Sequence, residues 1–497
     1  MSISFDEIPK NIRVPMVAVE FDASAAMESL AQMPYKALLF GQKTSAGTAT
    51  ALEPVRVTNA ATAATLFGPG SMLAHMCAKF LDANPWTELY ACPLDDLAAG
   101  TAATGTLTVT GTSTASGLVN LYVAGRRVRA GVSSGDTADE VAAAIVAAIA
   151  ADATLPVTAA AVAGVVTLTA RHKGLSGNDI DVRLNYWPED AIPAGLAVAI
   201  VAMTGGAGNP DLEDFIAALG DTWFHVLAMP YTDAASLTLL EAELKDRWGP
   251  MRQIEGVAFA AARGSHAELG ALGDTRNSPH VSIMHAHGVP ESPWELAAVV
   301  AAVAAYHGNI DPARPFQTLP LTGITPPKKA DRFTAQENNL LLFDGISTFT
   351  VDDGGVVRVQ RLISTYKLSP AGAEDIAYLD ITTPLTLGFL RWDLRAYMLR
   401  RYPRHKLAND GTRFGPGQAV MTPKLGKAEL INRYREWELA GLVENAEFFK
   451  AAAIVERNAS DPNRLDFLVP PDLINQCMVM AMKMQFRLQA INAIYGV

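Results

Sequence analysis

Histidine supplies the first candidate chemistry. Of nine histidines, His280, His285 and His287 form the closest cluster in the chain. On an extended strand His285 and His287 share one face, a spacing that lets two imidazoles hold a divalent metal. A complete set needs further Cys, His or carboxylate ligands. No HExxH motif is present, no Cys or Glu motif completes the set, and His287 adjoins Gly288 at a predicted strand end. The sequence therefore predicts no metal, and these histidines take structural or solvent-facing roles. Cys77, Cys92 and Cys477 have no ligand spacing and leave one thiol over from any disulfide, which fits a reducing compartment.

Phosphate and nucleophile chemistry fare no better. The segment Gly205-Gly206-Ala207-Gly208-Asn209-Pro210 is rich in glycine but fits neither GxGxxG nor GxxxxGK[ST], because Pro210 and Asp211 stand where Gly or Lys-Ser/Thr is required. Gly415-Pro416-Gly417 fails in the same way, so both read as linker or turn. No GxSxG elbow strains a serine into nucleophilic geometry. The expectation is a protein without catalytic, cofactor-binding or metal residues. Basic residues remain. Arg391, Arg395, Arg400, Arg401, Arg404, His405 and Lys406 form the densest cationic run, continued by Lys424, Lys427, Arg433 and Arg435. Such a run is either a solvated helix end, where cations suit the C-terminal dipole, or a face for an acidic protein partner.

The elements that carry these residues change style along the chain. Tyr35–Gly41 reads as a buried strand, Ser71–Leu81 as a helix and Trp86–Cys92 as a strand. Near Ala98 the composition shifts to Ala, Thr, Gly and Val. Gly105–Thr112, Gly117–Val123 and Val162–Ala170 are β-branched runs bounded by glycines, interrupted by a helix at about Thr137–Ala151 capped by Asp136 or Thr137. From Asp211, helices at Asp211–Leu219, Ala234–Trp248, Ser265–Gly273 and Pro293–His307 alternate with strands at Trp223–Met229, Val257–Ala261 and Val281–His285, the rhythm of a parallel α/β sheet. Beyond Pro326-Pro327, helical Gln336–Phe343 precedes two β-branched runs, Ile346–Val351 and Val356–Ile363, around the turn Asp352-Asp353-Gly354-Gly355. Long helices at roughly Asp375–Tyr402 and Pro423–Ala440 follow.

Both ends alternate with period two. Val17, Val19 and Phe21 share one face of an N-terminal run, and Met478, Met480, Met482, Met484, Phe486 and Leu488 share one face of a C-terminal run. Neither has a hairpin partner beside it in sequence. Each strand either docks on its own subunit or adds to another chain's sheet.

The fold class expected is multidomain α/β and α+β: a discontinuous α/β core, a β-rich insertion and a C-terminal α+β assembly domain. Its parts are an N-terminal strand arm at residues 1–22, core at 23–97 and 206–330, a peripheral insertion at 98–205, the assembly domain at 331–474 and a C-terminal strand arm at 475–497. With 497 residues, 49% hydrophobic and 18% charged, the chain can fill several cores. A formal charge of −11 argues against nucleic acid as the main partner. The apolar stretches Val141–Ala151 and Leu296–Ala305 are too short to span a bilayer, so no membrane insertion is expected. Ser4, Asp6 and Glu7 argue against a secretory signal.

Several stretches resemble contractile-tail sheath proteins of the Mu-like bacteriophage type. They are Ile12–Phe21, with its Pro15-Met16-Val17-Ala18-Val19-Glu20 arm, Arg171–Ile180, Gly205–Asp211, Ile431–Glu438 and Gly441–Asn445. Met16 stands where the family usually has Gly. The resemblance implies a non-enzymatic virion protein without cofactors, assembled in the bacterial host cytoplasm. Its partners would be neighbouring copies of itself, a tail tube protein, a baseplate and a tail terminator. It further implies that hexameric rings contract to drive the tube through the host envelope. Terminal arms would add strands to neighbouring subunits, with the Asp352–Gly355 hairpin as an acceptor. Arg391, Arg395, Arg400, Arg404, Lys424 and Lys427 become candidate tube-facing residues. A phage-derived bacteriocin or bacterial injection-system sheath would share every one of these features. An α/β hydrolase would need a polar pocket with a positioned nucleophile and base.

Overall fold

A computed structural model describes residues 33–486 of the chain. In chain order the core opens with β1 (Lys36–Gln42), β2 (Val55–Val57), α1 (Ala60–Phe67), α2 (Met72–Ala83) and β3 (Glu88–Leu94). The insertion follows as β4 (Ala102–Gly111), β5 (Gly117–Val123), β6 (Arg126–Val132), α3 (Ala138–Ala151), β7 (Val157–Val162), β8 (Val165–Lys173), β9 (Val182–Leu184) and β10 (Leu196–Thr204). The core resumes with α4 (Glu213–Leu219), β11 (Val226–Met229), α5 (Ala234–Trp248), β12 (Val257–Ala262), α6 (His266–Asp274), β13 (Val281–His285) and α7 (Pro293–Ile310). Next come α8 (Ala335–Phe343), β14 (Ile346–Val351), β15 (Val357–Arg361) and α9 (Thr382–Arg401). The chain closes with β16 (Lys406–Leu407), β17 (Val420–Met421), α10 (Pro423–Leu439), α11 (Ala446–Ala452), β18 (Ile454–Arg457) and β19 (Leu465–Leu468).

Eight strands form one sheet in the order β15-β14-β13-β12-β11-β1-β3-β2. All neighbours run parallel except the outermost pairs at each end, β14–β15 and β2–β3. Every residue of β11, β12 and β13 is buried, the continuous apolar run of a strand covered on both faces. Helix α7 starts with Ser292 N–H donating to Glu295 Oε2 at 3.2 Å and buries fourteen residues, mostly Ala and Val. Side chains that small let it lie close on β11, β12 and α2.

The insertion is two small sheets, β10-β4-β8-β7 and β6-β5-β9, with α3 against them. Helix α3 buries Val141, Ala142, Ile145 and Ile149, one stripe at three- and four-residue spacing. The run expected at Val162–Ala170 takes in the last residue of β7, a turn and most of β8. Ala163 and Gly164 both take positive φ and turn β7 into β8, just as Ala124 and Gly125 turn β5 into β6. An alanine at the first position of such a turn pays for its left-handed backbone, which is why the Ala-Gly pair carries a weak signal in sequence.

The hairpin assigned from sequence to the 331–474 assembly domain lies in the core sheet instead. Strand β14 runs parallel to β13, with Ile346 beside Ile283, and so extends the sheet by two strands. The chain divides at Leu390: Leu390–Pro471 forms one compact unit, while Tyr35–Phe389 with residues 472–486 forms the other. The helix expected from Asp375 begins at Thr382, because the preceding residues are held elsewhere. Tyr366 donates its hydroxyl to Asp375 at 2.5 Å, and Arg361 binds Asp380 through two nitrogens at 3.0 Å each.

Within Leu390–Pro471, α10 carries α11 and the antiparallel hairpin β18–β19. Leu465 and Phe467 approach Gly426 of α10 so closely that a Cβ there would sit 3.3 Å from both side chains. Residues 475–486 make no strand pairing within the described chain.

Candidate functional site

Open α/β sheets bind ligands beyond the carboxyl ends of their strands, where the strand order reverses. Here that point lies between β1 and β11, and the insertion reaches the end of β1. Gln42, at the end of β1, donates to Asp96 Oδ1 at 2.8 Å and to the Lys173 carbonyl at 2.7 Å. Met72 N–H donates to His172 Nε2 at 3.1 Å, so the imidazole proton sits on Nδ1, 3.0 Å from Asp96 Oδ1. Burial pushes the Asp96 carboxyl up, but the bonds from His172, Lys173 N–H and Gln42 outweigh it and hold the group below the usual range. Side chains of the core and of the insertion thus bond one another beyond the end of β1.

A second set of charges fastens the insertion to α7. Arg126 Nη2 lies 2.8 Å from Oε1 of the fully buried Glu295. Burial raises the Glu295 pKa, yet Arg126, His75 and Lys79 bring it down to about 2. Arg183 donates to the Gly288 carbonyl at 3.1 Å and Arg263 Nη1 lies 3.6 Å from Asp181 Oδ1, while Tyr186 bonds the Pro326 carbonyl. Together these contacts lock the insertion to the core sheet.

The histidines of the sequence reading do not assemble into ligands. His280 lies against Trp248, with ring centroids 4.9 Å apart, and His285 stacks on Phe349 at 4.3 Å. Among the described residues no group of three His, Cys, Asp or Glu could hold a metal ion.

The basic residues divide. Arg395, Arg400, Arg404 and Lys424 are exposed, whereas Arg391 and Lys427 are half-buried. Arg391 and Arg395 share a face of α9, but Arg400 stands about 140° round the helix from Arg395. Arg433, counted with the cations from sequence, is buried against Asp393. Nine Lys or Arg face only two Asp or Glu between Arg391 and Lys427, so this stretch remains strongly cationic.

Of the strand-arm residues, Val17, Val19, Phe21 and Leu488 lie outside the described residues. Met478 is half-buried, while Met480, Met482, Met484 and Phe486 are 73%, 86%, 92% and 82% exposed. Nothing in the described chain covers that apolar face. The Asp352–Gly355 hairpin has no open edge to offer it. Leu321 N–H and Thr318 N–H donate to the Val357 and Val359 carbonyls, so the outer edge of β15 is already taken. The β18–β19 hairpin differs: each strand pairs only with the other among the described residues, and Ile454, Phe467 and Leu468 are exposed. This hairpin is not legible in the sequence because its short strands carry Glu456, Arg457 and Asp466 and have no Asn-Gly or Asp-Gly turn.

Comparison with known proteins gives this arrangement a family. The phage tail sheath protein β-sandwich domain matches residues 98–208, the central domain 205–365 and the C-terminal domain 373–487. The Mu-like prophage FluMu tail sheath protein of Haemophilus influenzae is 43% identical over 486 residues, covering 98% of this chain and all of that protein. Among solved structures, a sheath tail protein from Desulfitobacterium hafniense aligns with 13% identity and a TM-score of 0.47, over 92% of this chain and all of its own. A chain of the anti-feeding prophage baseplate in its contracted state aligns with 14% identity and a TM-score of 0.49, over 96% of this chain and all of its own. With near-full-length identity to one tail sheath protein and three successive sheath domains along its length, the chain belongs to the phage tail sheath family.

Proposed function

We propose that this chain polymerises as stacked hexameric rings around a tail tube and shortens to drive the tube through a host envelope. Assembly in the host cytoplasm starts on a baseplate and ends at a tail terminator. The observation that supports the reading is a mismatch among the described residues: an exposed apolar face at Met480–Phe486 without a partner there, and a hairpin, β18–β19, with open edges there. A C-terminal arm from one copy laid along β18 or β19 of the next satisfies both. Main-chain hydrogen bonds supply the affinity and alternate side chains the register.

Contraction by such a mesh needs no nucleotide. An extended state held by a kinetic barrier releases energy when subunits gain contacts, and bistable interfaces propagate a trigger from ring to ring. The locked insertion fits this reading, because a lobe fastened by buried charge moves with the core. The cationic stretch from Arg391 to Lys427 would face an acidic tube, with attraction setting register. Negative-stain imaging of the purified chain tests the proposal. Rigid striated tubes support it, and a monodisperse particle that never polymerises under assembly conditions refutes it.

A further inference from the structure

A small cavity opens beyond the carboxyl ends of β13 and β14, well away from the end of β1 that the insertion reaches. It has a volume of about 170 Å³ and is lined by His285, His287, Asn338, Arg332, Phe333 and Phe349, among others. Two polar side chains on its wall are almost wholly buried yet incompletely bonded. His285 is 2% exposed and neither ring nitrogen has a hydrogen-bond partner among the described residues. Asn338 is 4% exposed and its Oδ1 is likewise unpartnered. Buried polar groups are ordinarily satisfied, so two such orphans on one cavity point to a ligand that completes them.

The donor and acceptor pattern identifies the ligand's chemistry. Asn338 Nδ2 donates to Gln360 Oε1 at 2.9 Å and to the Phe349 carbonyl at 3.4 Å, which fixes the amide so that Oδ1 is the free acceptor. His287 Nδ1 lies 2.8 Å from the Gly264 carbonyl, which only accepts, so Nδ1 carries the proton and Nε2 keeps its lone pair. Arg332 uses Nε on the Pro327 carbonyl at 2.9 Å, leaving its terminal nitrogens as donors. A neutral His285 adds an N–H. These four side chains therefore offer acceptors at Asn338 Oδ1, His287 Nε2 and the second ring nitrogen of His285, and donors at His285 and Arg332, on a wall that also carries Phe333 and Phe349. A carboxylate would meet Asn338 Oδ1 and His287 Nε2 with no proton to give. An ammonium or metal ion would meet Arg332.

We propose that this cavity binds a primary carboxamide. Its NH₂ donates to Asn338 Oδ1 and His287 Nε2, and its carbonyl accepts from His285 and Arg332. The amide comes either from a side chain of a second copy or from a free small molecule, and one experiment separates the two. Acetamide is titrated into the full chain labelled with ¹⁵N at histidine, before and after polymerisation. The expected result is a saturable shift of the His285 ring signals in the unassembled chain. That shift is lost in His285→Phe, which has no ring nitrogen to report and is followed by acetamide-dependent melting temperature. It is lost as well in Thr350→Trp, which narrows the exposed rim and leaves His285, His287, Arg332 and Asn338 in place. Loss of acetamide binding on polymerisation assigns the site to a neighbour's side chain, and retention assigns it to a free amide. No saturable binding by the unassembled wild type, or equal binding by all three chains, overturns the proposal. Stoichiometric zinc held through His285 and His287 overturns it as well, by giving the lone pairs to a metal.

Discussion

Arg433 of α10 donates through Nε to Oδ2 of Asp393 on α9 at 2.6 Å, and Trp437 Nε1 reaches the same oxygen at 2.7 Å. Asp393 and Trp437 are each 1% exposed, and Arg433 is 7% exposed. One carboxylate thus gathers two side chains spaced four apart on one face of α10 and ties that helix to α9. Removing one partner of a buried ion pair costs about 3–5 kcal/mol where the other charge is left uncompensated, and here Glu436, which also pairs with Arg433, offsets part of that cost. Asp393→Ala is expected to lower stability by less than that amount, read as a drop in the urea midpoint of the full chain. A change within error would show that α9 and α10 are held by apolar packing alone.

The separation of Asp393 and Arg433 by forty positions explains why this pair was not legible in sequence. Periodicity and composition report what a residue's neighbours do, so an arginine beside Lys424, Lys427 and Arg435 reads as one more surface cation. Elements with strong local signals were legible. Asp233 caps a helix that runs from Ala234 to Trp248, and the apolar run Val281–His285 forms a strand at those residues. Ala163-Gly164 and β18–β19 escaped because neither carries a glycine–asparagine turn or a long alternating run. The lock between insertion and core was equally hidden, since Arg126 and Glu295 lie 169 residues apart.

That lock makes its own prediction. Arg126→Ala leaves Glu295 buried without its main cation, and a loss of about 3–5 kcal/mol is expected at neutral pH. Arg126→Ala with Glu295→Gln should recover much of it, because no charge is then left unpaired. The single variant should also lose its deficit as the pH falls and Glu295 takes up a proton. Additive effects in the double-mutant cycle would mean that the two side chains are not energetically coupled.

Three buried histidines set the acid limit of the core. Burial lowers the pKa of His75 to about 4, and those of His225 and His285 to about 3. Each lies below the unfolded value of about 6.5, so the unfolded chain binds protons that the folded chain refuses. Their stability contribution is complete above about pH 6.5 and is lost as the pH falls toward those folded values. At pH 5 the loss is about 2 kcal/mol for each histidine. Asp179 acts in the opposite sense: burial raises its pKa to about 6, so its contribution is present in acid and disappears as the pH rises through 6. The net expectation is a urea midpoint that falls between pH 7 and 5, with a shallower fall in His225→Phe. Parallel pH profiles for wild type and variant would rule His225 out as a source of the slope.

The exposed cations of α9 and the loop after it should govern tube binding. Reversing Arg395 and Arg404 to Glu is expected to weaken the grip of an extended sheath on its tube while sparing polymerisation of the sheath itself. Salt should erode the wild-type contact in the same way, since exposed charges are screened over about 8–10 Å near physiological ionic strength. Co-sedimentation with tube across a salt series reads both effects. If wild type and variant bind alike at every salt concentration, this face meets solvent.

Strand exchange through the C-terminal arm is tested by a single charge. Met482 is 86% exposed in the subunit and stands in the middle of the alternating face from Met480 to Phe486. On pairing with a neighbour's β18 or β19 that face is buried, and each methionine or phenylalanine contributes roughly 1.5–3 kcal/mol before ordering costs. Met482→Asp places an unpaired carboxylate on the buried face, whereas in the free subunit the same side chain remains in water. The expected outcome is therefore asymmetric: an unchanged melting temperature for the unassembled chain, and no tubes by negative-stain imaging. Phe467→Asp on the acceptor hairpin should also abolish tubes, though Phe467 touches Gly426 and some loss of stability accompanies it. A melting temperature lowered by Met482→Asp would place the arm on its own subunit. Normal tubes from both variants would show that sheath connectivity runs through other surfaces.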